Sequence, residues 1–201
     1  MASNLMHIFR PEKREVWEIL SRQLGGRLLL STGLKDKDAV VASYKNWTIV
    51  LDSYSKPKRA TRTRIRANYV NRDSFYFRIF RRSLASSIKK VAGMQDVIIG
   101  YPAFDDDFII QGNDERKLRS LFTPDRIREL ISWQPEISLE NIVDDSWVTA
   151  PFREGTSMLM FEVKGLITDL ERLKDLYNLF AEILNQLCHI GSAYEDDPSL
   201  R

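Results

Sequence analysis

Residues 61–82, TRTRIRANYVNRDSFYFRIFRR, sort two opposite chemistries onto alternate positions. Arg62, Arg64 and Arg66 alternate with Thr63, Ile65 and Ala67, and Tyr69 continues the second set. After a polar break, Phe75, Phe77 and Ile79 alternate with Tyr76, Arg78 and Phe80. Strand side chains point to opposite faces with period two, so each half reads as a strand. Joined through Asn71-Arg72-Asp73, the two predict an antiparallel hairpin. Ile65, Tyr69, Phe75, Phe77 and Ile79 then share one face, and Arg62, Arg64, Arg66 and Arg78 share the other.

Around this stretch the charge is unevenly distributed. The chain of 201 residues carries a net charge of only +2. Yet Lys56–Lys90 holds twelve basic residues and one acid, Asp73, while Asp96–Asp145 holds twelve acids against five bases. A near-neutral total therefore hides a dipolar chain. With 43% apolar and 29% charged residues the composition is that of an ordinary globular protein. The expectation is a single domain over residues 1–201, either one body or two lobes divided near residues 92–100. Cys188 is the one cysteine, which excludes an internal disulfide and suits a reducing compartment. The first residues, MASNLMHIFRPEKREVW, lack the apolar core of a signal peptide. No run approaches the ~20 apolar residues of a membrane-spanning helix. A soluble cytoplasmic protein without a transmembrane segment is expected.

Pro11 followed by Val16, Trp17, Ile19, Leu20 and Leu24 predicts an amphipathic helix with proline in its first turn and Gly25-Gly26 as its stop. Arg27–Thr32 reads as a short strand, Gly33–Asp38 as a turn, and Val40–Tyr54 as strand. In the last, Trp47, Ile49 and Leu51 point one way, and Thr48, Val50 and Asp52 the other. Ser53–Ala60 is a loop around Pro57, and Leu84–Val91 predicts one or two helical turns ending at Gly93. Phe104 and Phe108 flank Asp105-Asp106-Asp107 at a spacing that one helical turn places on one face. Asn113 or Asp114 predicts the cap of a helix to Phe122, and Thr123-Pro124 opens another. Ile137–Val143, Trp147–Ala150 and Met158–Val163 read as strands. Thr168-Asp169-Leu170-Glu171 is a capping box; Leu170, Leu173, Tyr177, Phe180, Leu184 and Leu187 follow at helical spacing, and Gly191 closes the helix. Residues 192–201 read as a frayed acidic tail. The fold class is α+β: a mainly antiparallel sheet with the N-terminal and long C-terminal helices packed on one face.

Pro102-Ala103-Phe104, Phe108, Gly112-Asn113-Asp114, Arg119, Leu121 and Thr123-Pro124 resemble a bacterial domain family of unknown function. The resemblance covers about Asp96–Leu130. It implies a fold module and a bacterial source, and it brings no catalytic residues.

The arginine face has three readings. Its guanidinium groups can be solvated and paired with nearby acids. With Tyr76 and Phe80 alongside, they can bind phosphates of nucleic acid or of an anionic membrane surface. Or they can meet an acidic protein surface, including the Asp105–Asp107 region of a second copy in self-association. The candidate anion- and partner-binding residues are Arg62, Arg64, Arg66, Arg78, Arg82 and Tyr76. Consecutive aspartates diverge by about 100° around a helix, so Asp105–Asp107 reads as a solvated helix end rather than a metal site. His7 and His189 stand in no metal-ligand spacing, and Cys188 reads as an apolar filler. Trp17, Trp47, Trp133 and Trp147 are scattered and read as packing residues. Neither a catalytic residue nor a cofactor is indicated. The expected function is a non-enzymatic binding domain using the arginine face. The alternatives are a carrier with an apolar cavity between the sheet and the C-terminal helix, or a hydrolase built on clustered carboxylates.

Overall fold

A computed structural model describes residues 2–31, 38–55, 60–87, 96–142 and 155–196. The turn expected at Gly33–Asp38 (Asp38 itself apart), the loop around Pro57, the part of the Leu84–Val91 segment after Ser87, the strand at Trp147–Ala150 and the last residues of the tail lie outside them. The alternation in the opening stretch is strand, as its period requires: β4 is Arg62–Asn71 and β5 is Phe77–Arg81. Before them come helix α1 (Ala2–Gln23) and strands β1 (Arg27–Leu29), β2 (Ala39–Tyr44) and β3 (Trp47–Tyr54). After β5 follow a 3-10 segment (Arg82–Ser87), α2 (Pro102–Asp107), β6 (Phe108–Gly112), α3 (Glu115–Leu121) and α4 (Asp125–Ser132). The chain continues through β7 (Ser138–Ile142), β8 (Thr156–Lys164), α5 (Leu170–His189) and β9 (Ala193–Tyr194).

The strands form one sheet in the order β1-β2-β3-β4-β8-β7-β5-β6. Every pairing is antiparallel, and β9 joins β4 at Val70 and Asn71, beyond the last β3 partner. An α+β fold with a mainly antiparallel sheet is therefore present. The expected hairpin is not: β4 and β5 run antiparallel in the same sheet, but β8 and β7 lie between them. The cause is in the link. Asp73 N–H donates to the Asn71 side chain and Phe75 N–H to the Asp73 carboxylate, successive side-chain-closed turns that carry the chain sideways instead of back on itself. Buried Asn141 of β7 then receives the link. Its amide donates to Phe75 O (2.7 Å) and the Tyr69 hydroxyl (2.9 Å), and it accepts from Phe77 N–H (2.6 Å). Asn71 donates to Ser157 of β8 at 2.8 Å. The two asparagines thus supply hydrogen bonds that a hairpin ladder would have made.

The faces follow the predicted parity. Ile65, Tyr69, Phe77 and Ile79 lie under the helices with Leu139, Leu159 and Phe161. From the helix layer, α5 buries Leu173, Leu176, Phe180, Leu184 and Leu187, α1 buries Trp17 and Leu20, and α3 and α4 bury Leu118, Leu121, Ile127, Leu130 and Ile131. Phe122 meets Phe77 edge-on at 6.1 Å, and Phe104 packs on Phe108 at 4.6 Å. α1 begins at Ala2, so Pro11 is internal rather than in the first turn. Its C-terminus closes as expected: Gly25 has φ +61° and Gly26 N–H reaches Ser21 O at 2.7 Å. The Val40–Tyr54 stretch is two strands folded at Lys45-Asn46. Asp114 caps α3, but the cap of α5 is Asp169 rather than Thr168, and Pro124 stands where Thr123 was expected on α4. Inside the stretch read as a frayed tail, Glu195 is held by Lys45 and Asn46.

Candidate interaction face

The side of the sheet opposite the helices carries the arginines. Arg62, Arg64 and Arg66 project there from β4, and Arg78 from β5, with β8 and β7 interposed. Three strand spacings amount to about 14 Å, so Arg78 is not continuous with the β4 row. Register explains what each arginine meets. Asp52 of β3 is directly opposite Arg64, and Glu162 of β8 is opposite it on the other side. Arg64 donates to both Asp52 oxygens, at 3.0 and 2.7 Å, and Arg66 reaches the same carboxylate at 3.2 Å. Arg62 pairs with Glu162, which also accepts from the Tyr54 hydroxyl at 2.5 Å. Arg78 pairs with Glu140 of β7 at 3.3 Å.

These pairs set the electrostatics. Burial works against charge on Arg64, but the Asp52 carboxylate outweighs it and leaves the guanidinium more basic than usual. Arg66 goes the other way: burial and the neighbouring Arg64 lower it more than the shared Asp52 restores. Burial and the bond to Glu162 push the Tyr54 hydroxyl up to about 12. Burial likewise raises Glu140 despite Arg78. Four guanidinium groups therefore face three carboxylates of the same chain. Arg66 shares an acid that Arg64 already occupies, and among the described residues its buried Nε has no hydrogen-bond partner.

The other expected residues stand apart from the β4 row. Arg82, in the 3-10 segment, donates to the carbonyls of Asp105 and Asp106 at 2.9 and 3.0 Å, at the end of α2. Tyr76 is half-buried, near Arg78 and Glu140. The opposite charge blocks meet within the chain, through Arg78–Glu140 and Arg81–Asp107. Asp105 is not a solvated acid: it is buried and accepts from the amides of Ile99, Gly100 and Tyr101 at 2.9–3.0 Å. Among the described residues no group of acids, histidines or cysteines is placed to hold a metal ion.

Between α1, β2–β4 and α5, where an apolar cavity was expected, the described residues leave a void of ≈ 10 Å³, lined by Leu20, Leu51, Ile65, Leu173 and Tyr177 among others. That is room for about one water. Glu140 and Glu162 feel each other's charge, but each is held by an arginine, so they form rungs of a salt-bridge ladder rather than an open acid–base pair.

With the geometry in place, the chain can be set beside known proteins. It resembles one in fold. The crystal structure of the mycobacterial trehalose monomycolate transport factor A, TtfA, aligns with a TM-score of 0.53 at 9% identity, over 88% of this chain and 96% of that one. At that identity the likeness shows the fold alone. No protein-family model and no curated protein matches the chain; the resemblance over Asp96–Leu130 thus has no family model behind it. No helix among the described residues is long and apolar enough to cross a membrane.

Sequence reasoning placed the arginines on one face but missed Asp52, Glu140 and Glu162 as their partners. A signal existed. Asp52 falls on the opposite parity from Trp47, Ile49 and Leu51, so it had to share a face with whatever lay beside Thr48 and Val50. Which strand that was depended on sheet order.

Proposed function

We propose that the chain is a non-enzymatic binding domain whose arginine-bearing sheet face engages an acidic surface of a protein partner, with Arg66 as the principal cation. The observation that supports this is the imbalance around Asp52, where two guanidinium groups share one carboxylate. A partner carboxylate beside Arg66 would complete the local neutralisation. A face with three built-in acids attracts polyphosphate weakly, because nucleic-acid affinity grows with the number of phosphates neutralised. That favours an acidic protein surface over nucleic acid or lipid. The likeness in fold to a transport factor fits a binding role and transfers no cargo to this chain.

The test compares retention on immobilised polyglutamate, single-stranded DNA and phosphatidylglycerol vesicles at low salt. Polyglutamate should retain the chain best, and Arg66→Glu should abolish retention while leaving the circular-dichroism spectrum unchanged. Equal retention of the variant, or preference for DNA or vesicles, overturns the reading.

A further inference from the structure

On the helix side, away from the arginine face, α3 and the last turn of α5 enclose an open groove of ≈ 530 Å³. It falls within the size range of small-molecule sites. Its walls are built by helical spacing. Arg116 and Ser120 are four apart on α3, and Gln186 and His189 are three apart on α5, so each pair shares one helix face and the two faces oppose each other across the groove. The floor is fixed by the Gln186 side-chain amide, which donates to Ser120 O at 2.7 Å. The neighbouring charges are already used: Lys117 is paired with Asp73, Arg119 with Glu115, and the Asp114 carboxylate accepts the Lys117 amide as the α3 cap. Among the described residues Arg116 has no ion-pair partner, unlike the arginines of the sheet face.

We propose that this groove is a binding site for a phosphate monoester, held by Arg116, Ser120 and His189. A guanidinium fork, a hydroxyl and an imidazole arriving from two helices suit a tetrahedral oxyanion, whereas a planar carboxylate would use the fork alone. The side chain of Ile190 and the methyl group of Thr123, on the same wall, accommodate the organic part of the ester. The same phosphate chemistry is offered by a soluble metabolite and by a lipid headgroup.

The chain has two histidines, so the imidazole signals of His189 can be assigned by comparison with His7→Gln and followed by NMR. The probes are glycerol 3-phosphate and vesicles containing phosphatidic acid, each at matched ionic strength. A saturable His189 shift is expected with at least one probe, and which one responds identifies the source. Arg116→Gln should weaken it about tenfold or more, and Ser120→Ala by less, while Arg27→Gln, an exposed arginine on β1, should leave it unchanged. No saturable shift with either probe overturns the site, as does equal weakening by Arg27→Gln and Arg116→Gln, which would mark general charge attraction.

Discussion

Asp52 and Arg64 face each other across the β3–β4 ladder, and the guanidinium takes both carboxylate oxygens, at 3.0 and 2.7 Å. Asp52 is only 4% exposed and lies between the two guanidinium groups. Replacing it leaves Arg64 and Arg66 side by side without an acid between them. Asp52→Ala should therefore cost about 2–3 kcal/mol, less than a fully buried pair because both arginines reach solvent. Arg66→Ala should cost under about 1 kcal/mol, since the bidentate pair survives. Urea denaturation of both variants checks the ratio. Equal costs would mean that Asp52 serves both arginines alike.

Asn141 is a sharper case because it is fully buried and bonds the β4–β5 link at three points. Asn141→Leu keeps the approximate volume but strands Phe77 N–H in the core and leaves the Tyr69 hydroxyl only its bond to Ser157. Each lost partner costs about 1–3 kcal/mol, so the variant should lose about 3–5 kcal/mol. Tyr69→Phe removes one bond of the same set and should lose about 1 kcal/mol. A small loss in Asn141→Leu would show that water or backbone movement resatisfies the link.

Those asparagines also mark where the sequence stops being legible. Parity is a local property, and it placed Arg62, Arg64 and Arg66 opposite Ile65 and Tyr69 correctly. Sheet order is not local: the acid that meets Arg62 is Glu162, 100 positions away. Nothing in TRTRIRANY specifies that β8 and β7 will enter between β4 and β5. The clue was the polar break itself, whose Asn71 and Asp73 close turns with their own side chains. The α5 stripe was readable because Leu173, Phe180, Leu184 and Leu187 repeat with the helix. The cap was off by one residue because Thr168 and Asp169 both suit the position. Asp105 is a different case: its three amide donors lie four to six residues upstream, in the turn that opens α2, and a run of three aspartates does not say which one turns back to close it.

Glu140 makes the stability pH-dependent. Burial raises its carboxyl above 4.5, its usual value, against the pull of Arg78. A carboxyl raised in the folded state contributes stability fully below the unfolded value, and that contribution is lost as pH rises through the folded one. Glu140→Gln does not titrate. The variant should therefore gain stability relative to wild type as pH rises from 4.5 through the raised value, and the difference should level off above it. Thermal unfolding of the two proteins across that window reads the slope. A difference that moves the opposite way would mean that Arg78, not burial, controls the group.

Gly112 ends β6 where the sheet and α3 come closest. A Cβ at this position would lie 2.4 Å from Tyr76 O and 3.1 Å from both Leu118 methyl groups. The first of these is backbone and cannot rotate away. Tyr76 O also accepts from Asn113 N–H at 3.2 Å, and the Asn113 side chain accepts from Tyr76 N–H at 2.8 Å. Relieving the clash therefore means parting β5 from the turn that launches α3, a strain of the kind that costs about 1–3 kcal/mol. Gly112→Ala should lose about that much and should broaden the amide signals of Tyr76, Asn113 and Asp114 before the rest of the spectrum changes. Gly165→Ala is the control. That glycine meets nothing within 4 Å, and its φ of +91° makes the substitution a matter of local strain alone. If both variants perturb only their own neighbours and Gly112→Ala is the milder, the close approach of Gly112 to Tyr76 is not what fixes α3 on the sheet.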